Sequence, residues 1–154
     1  MAQGDVIVFD QTFLDLASKI HNISTGGDTV KMGIVDSTIT PTATTADPRW
    51  GAGGTTDLSA NEVATGTSYS AGGPALGSVT GGLSGGAFVF DSANVSIAQD
   101  ATGFTDGRWA VAYNDTSSGK QVLFVVDLGG VVSIQGGSLN INANASGWFS
   151  INQA

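Results

Sequence analysis

Apolar and polar positions recur along this chain with two different periods. Across residues 9–23, Phe9, Phe13, Leu14, Leu16, Ala17 and Ile20 fall near helical spacing, with Asp10, Asp15 and Lys19 between them. The spacing predicts one N-terminal amphipathic helix over about residues 10–22. Asp10 is placed to cap it, and Lys19 and His21 fall in the last turn, where cations complement the helix dipole. Ser24-Thr25-Gly26-Gly27-Asp28 reads as a turn. Over 29–36, Val30, Met32 and Ile34 alternate with polar or small residues, which predicts a strand with one buried face.

After residue 86 the period is that of strands. Ala87-Phe88-Val89-Phe90, the stretch 93–98, and Arg108-Trp109-Ala110-Val111-Ala112-Tyr113 each read as strand, and 114–119 as a turn. The run 121–127 puts Val122, Phe124 and Val126 on one face and Leu123 and Val125 on the other, which implies burial on both sides. Gly129-Gly130 and Gly136-Gly137 are expected to turn the chain into strands at 131–134 and 139–141, and Trp148-Phe149-Ser150-Ile151 closes the pattern. The fold expected is mainly β: an antiparallel β-sandwich or β-barrel of about seven strands with the one N-terminal helix. Its core comprises 29–36 and 87–153 within a single domain, 1–154.

The middle of the chain is different. Residues 37–86 are rich in Gly, Thr, Ala and Ser and hold all three prolines, Pro41, Pro48 and Pro74. A structureless stretch of that length is unusual inside a domain. It either contains short strands, such as 62–70, or forms an extended loop or arm ordered by neighbouring chains. The piece 72–86 also reads as a flexible linker, although Pro74, Leu76, Val79 and Leu83 recur through it as if touching a surface.

Composition narrows the function. Only 12% of residues are charged, about half the usual share, so small neutral side chains cover the surface. Such a surface suits close packing against other proteins better than it suits a dispersed monomer. The net charge is −8, and Lys19, Lys31, Arg49, Arg108 and Lys120 are scattered, the reverse of what phosphate binding needs. Nucleic acid and an anionic membrane surface are therefore not expected as partners. No apolar run reaches the roughly 18–20 residues that span a bilayer, and the first residues lack the basic segment of a secretory signal. Synthesis in the cytoplasm follows, with export only as part of an assembly.

No constellation for catalysis emerges, and the chain is not expected to be an enzyme. His21 is the sole histidine and there is no cysteine, so neither a zinc site nor a Cys nucleophile can be assembled. A Ser-His-Asp triad would need a serine that no GxSxG turn supplies. The Gly-rich stretches match no phosphate-binding loop. Asp91, Asp100, Asp106, Asp115 and Asp127 fall at strand ends, where calcium ligation is conceivable, but turn formation explains them more simply. No cofactor or metal is expected. Trp50 follows Asp47-Pro48-Arg49 in an irregular segment; Trp and Arg together favour a protein interface, and a tryptophan folded back over its own sheet is the alternative.

Several stretches together resemble small bacteriophage virion structural proteins. They are Phe9-x-x-x-Phe13-Leu14 through Lys19-Ile20-His21, Lys31-Met32-Gly33-Ile34-Val35, and Glu62-Val63 with Gly66-x-x-Tyr69-x-Ala71-Gly72-Gly73. Trp109-Ala110-Val111-x-Tyr113-Asn114-Asp115 and Asp127-Leu128-Gly129-Gly130 complete the set. The resemblance implies a component of the virus particle, of its head or its tail; the acidity suits a place in the virion on the outer surface of the capsid, away from packaged DNA. In one role it is a cement or decoration protein, a homotrimer seated where major capsid protein subunits meet. In the other it is a tail or tail-tip protein, including an adhesin that contacts host glycans. The candidate interface under either role is Phe9, Asp47, Arg49 and Trp50 together with Tyr69, Pro74 and Leu76.

Overall fold

The longest apolar runs build the centre of the molecule. The structure, a computed structural model, describes residues 2–152; Met1, Gln153 and Ala154, which the expected domain includes, lie outside the described residues. In chain order the elements are β1 (Val6–Val8), α1 (Asp10–Ala17), β2 (Val30–Val35), β3 (Pro48–Arg49), β4 (Thr56–Asp57) and β5 (Thr80–Ser84). They continue with β6 (Ala87–Asp91), β7 (Val95–Ile97), β8 (Gly107–Asn114), β9 (Val122–Val132), β10 (Leu139–Ile141) and β11 (Phe149–Ile151). A 3₁₀ turn spans Ser59–Asn61. The fold is mainly β, with antiparallel sheets and one helix near the N-terminus.

Four strands form a central antiparallel sheet in the order β1-β9-β8-β2. It is covered on both faces, as the unbroken burial of residues 121–128 requires. On one face Met32, Ile34, Ala110, Ala112, Phe124 and Val126 pack beneath an outer layer made of two small sheets, β11-β6-β5 and β10-β7. Phe90, Ile97, Ile141 and Trp148 of that layer complete this side of the core. On the other face Val35, Trp109, Val111, Tyr113 and Val125 are covered by Phe9, Trp50 and Leu58. Each large apolar side chain so buried contributes about 1.5–3 kcal/mol relative to exposure. The central sheet ends in two edges, β1 and β2, so the layers form an open sandwich and no barrel closes.

Several local expectations change for physical reasons. Leu123 is an extra residue where the register between β8 and β9 shifts, between the pairs Ala112–Phe124 and Tyr113–Val122. Leu123 therefore joins Phe124 and Val126 on one face, and Val122 joins Val125 on the other. Gly129-Gly130 does not turn the chain: β9 runs through it, with Gly129 at φ 82° absorbing the distortion. The helix stops at Ala17 rather than near residue 22, because Lys19 takes a left-handed conformation at φ 59° and the amide of Ile20 bonds back to the Asp15 carbonyl. Asp10 is its first residue rather than its cap, and that cap position belongs to Phe9, whose side chain cannot accept a bond.

Residues 37–86 fold onto their own chain. They contribute β3, β4, the 3₁₀ turn and β5, whereas 62–70 form no strand. Leu58, Val63, Tyr69 and Leu76 are buried. Glu62 organises this segment. Its Oε1 accepts bonds from the Tyr69 hydroxyl at 2.9 Å and the Gly72 amide at 2.6 Å, and the Tyr69 oxygen accepts from the Ile34 amide at 2.7 Å. The N-terminal residues likewise pair within the chain, Val6–Val8 against Phe124–Val126.

Candidate interaction surface

The two outer faces of the sandwich differ in charge. Among the described residues, the Lys and Arg ion pairs lie around β2, β3, β8 and β9 and not in the two small sheets of the outer layer. Asp115 lies between Lys31 and Lys120, at 2.9 and 2.7 Å, and these two ammonium groups hold its carboxyl below the ordinary range. Arg49 pairs with Asp47 at 3.1 Å. Arg108 grips the buried Asp127 carboxylate with both guanidinium nitrogens, which lowers its pKa, and lies 4.1 Å over the Trp109 ring. A cleft of about 570 Å³ opens beside this pair, walled by Ile7, Ile39, Pro41 and Trp109.

The opposite layer is nearly free of charge. No Asp, Glu, Lys, Arg or His occurs between Val63 and Phe90, nor anywhere after Asp127. In the fold these two stretches meet: β5, β6, β7, β10 and β11 carry one ionisable side chain between them, Asp91. Gly82, Val89 and Ser150 stand in register on the outward side of β5, β6 and β11. They floor a shallow groove of about 610 Å³ whose walls include Thr25, Ala145 and Ser146. On the inward side, Leu83, Phe88 and Ile151 form the last rung, and it reaches the solvent: Leu83 is 87% exposed.

The residues singled out from the sequence do not converge there. Phe9, Trp50, Tyr69 and Leu76 are buried in the chain's own core. Trp50 stacks on Tyr113 and covers Gly33, so of the two readings of this tryptophan the folded-back one describes the molecule. Asp47 and Arg49 neutralise each other at the edge of the charged side, and Pro74 is exposed beside the β2 edge, where its carbonyl accepts a bond from the Met32 amide. The signal that would have found the uncharged layer is the spacing of charged residues along the chain rather than the identity of any aromatic.

A second apolar exposure lies on α1. Its inward side presents Thr12 and Asp15, while Phe13 and Leu14 face solvent at 46% and 59% exposure. Thr12 Oγ1 donates to the Leu123 carbonyl at 2.6 Å. Asp15 Oδ2 and His21 Nε2, both buried, face each other at 3.8 Å without a hydrogen-bond partner. Burial pushes the His21 imidazole below its ordinary range, against the pull of Asp15 and Asp28. Its other nitrogen meets the Asn114 side chain at 3.2 Å, so neither ring nitrogen has a hydroxyl to activate.

The strand-end aspartates make structural bonds. Asp100 accepts from the amides of Thr67, Ser68 and Thr102 and from the Thr102 hydroxyl, tying the 66–69 turn to the loop before β8. Among the described residues, no group of three or more His, Asp or Glu side chains is arranged to hold a metal ion, and no helix is long and apolar enough to cross a membrane. No protein-family model matches this chain, and no curated protein or solved structure matches it significantly.

Proposed function

We propose that this protein is a non-enzymatic component of a bacteriophage head, a cement or decoration protein that binds between major capsid protein subunits on the outer surface. The observation that supports this reading is the nearly uncharged outer layer of β5, β6, β7, β10 and β11, with Asp91 its one charged side chain, on a chain of net charge −8. A protein that must stay dispersed keeps charge on every face. Here one face is left with hydroxyls, amides, glycines and exposed Leu83, which suits close contact with another protein. Its acidic side would then point away from the shell and its packaged nucleic acid. Because residues 37–86 fold back on their own chain and bury Leu58, Val63, Tyr69 and Leu76 there, the contact is assigned to the folded outer layer and needs no extended arm.

The mechanism is passive. Each ~100 Å² of apolar area removed from water contributes about 2.5 kcal/mol before ordering costs, and the contact repeats over many copies. Expanded heads carrying the protein are expected to withstand higher temperature and force than heads lacking it. Equal breakage of the two would remove the cement role.

A further inference from the structure

β5 (Thr80–Ser84) is one edge of its sheet and is hydrogen-bonded to β6 alone. Among the described residues, its backbone groups make no hydrogen bond outside that pairing. Exposed edges are ordinarily guarded by a charge, a proline or a bulge. β5 reads Thr-Gly-Gly-Leu-Ser, has none of those side chains, and keeps an unbroken register with β6 over five residue pairs. The backbone donors and acceptors on this edge are thus left without a partner in the chain, with the Ile23 carbonyl packed against one face of Gly81 and an exposed leucine alongside.

Charge selects what can approach it. Two copies of a chain with net charge −8 repel wherever their acidic sides meet, so the layer whose strands carry Asp91 alone is the side on which they come together at least cost. An antiparallel edge is also complementary to itself, because each group that one strand donates is accepted by its twofold mate.

We propose that β5 pairs antiparallel with β5 of a second copy of this chain, about a twofold axis at Gly82. Leu83 of each copy then opposes Gly81 of its mate, and Ser84 opposes Thr80. The two three-stranded sheets become one sheet of six, and the outward face, whose one charge per copy is Asp91, doubles in width. This goes beyond the head-protein reading and stands without it. The contact is small, below the roughly 1,200 Å² of a standard interface, so association is weak and depends on concentration.

Sedimentation velocity across a dilution series of the full chain, with amide NMR shifts followed in parallel, tests it. The expected result is a monomer–dimer equilibrium whose shifts concentrate in β5 and the turn to β6. Leu83→Lys places charge on the edge and removes the apolar contact, and raises the dissociation constant about tenfold or more. Ile151→Lys, on β11 at the opposite edge of the sheet, leaves the equilibrium unchanged. Both side chains are exposed, so both variants fold, and unchanged circular dichroism checks this. A chain that stays monomeric up to about 1 mM, the weak limit of specific contacts, overturns the proposal. So does a dimer indifferent to Leu83→Lys. A trimer, or loss of association with Ile151→Lys, shows head-to-tail pairing of β5 with β11 and overturns it equally.

Discussion

The indole of Trp50 lies flat on the ring of Tyr113, with centroids 4.9 Å apart and planes 4° from parallel. This pair seals the charged side of the central sheet, and it exists because β2 offers no side chain beneath it. A Cβ on Gly33 would stand 2.1 Å from the Trp50 ring.

Gly33→Ala is therefore expected to displace Trp50 and destabilise the fold by about 1–3 kcal/mol, as overpacking does. Gly82→Ala is the control. Nothing lies within 4 Å of its added methyl, and surface changes of that kind stay within about 0.5 kcal/mol. Denaturant unfolding measures both, and a shift of tryptophan emission towards the solvent-exposed value should accompany only the first. Equal stability of the two variants would show that the ring has room to move.

The helix gives a test in which hydrophobicity and importance run opposite to each other. Thr12→Ala removes the 2.6 Å bond to the buried Leu123 carbonyl and leaves it only the longer 3.4 Å bond from the Phe9 amide, which is expected to cost about 0.5–1.5 kcal/mol. Leu14→Ser, at a position 59% exposed, is expected to change stability by less than about 0.5 kcal/mol. Thermal unfolding of the two variants should rank them in that order; the reverse order would mean that Leu14 belongs to the core.

His21 links stability to mild acid. Its pKa is lowered in the folded chain by burial, so the unfolded chain binds the proton more readily. Stability is then complete above the ordinary value of 6.5 and falls as pH drops below it. His21→Gln, which cannot take up the proton, should flatten that part of the stability profile. An unchanged slope in the variant would place the titration elsewhere.

Asp100 acts in stronger acid. Amide bonds from Thr102 and Ser68, with the Thr102 hydroxyl and the Thr67 amide, hold its pKa at about 2, against an ordinary 3.8. The carboxylate's contribution is present above 3.8 and is lost as pH falls towards 2. Asp100→Asn should unfold at lower temperature than the parent at pH 6, and the gap should narrow by pH 2. Hydrogen exchange at Thr67 and Ser68 should report the loosened turn in the variant at pH 6.

Much of the β architecture was legible in local pattern, because alternation records which face of a strand is buried. β2, β8, β10 and the turn after Asn114 lie close to where the spacing places them, and Trp109 and Trp148 are in the core as their strands suggest. The pattern failed where a single backbone irregularity reassigns side chains. Leu123 changes face at a bulge, and Gly129 carries a strand forward where Gly-Gly reads as a turn. It failed again in α1, where Thr12 takes the interior in place of Phe13 and Leu14, its hydroxyl donating to the carbonyls that the bulged strand presents at Val122 and Leu123.

The sequence by itself determined the composition of the two faces: an acidic chain with two long stretches lacking any charge, each punctuated by glycine and strand-forming residues. Only the tertiary structure decided that those stretches, far apart along the chain, stack into one layer and leave β5 open at its edge. It also decided that Trp50 turns inward, for which Gly33 had to lie opposite. The physical reason is common to both. Charge and periodicity are properties of neighbours in the chain, whereas pairing and burial depend on residues brought together from tens of positions away.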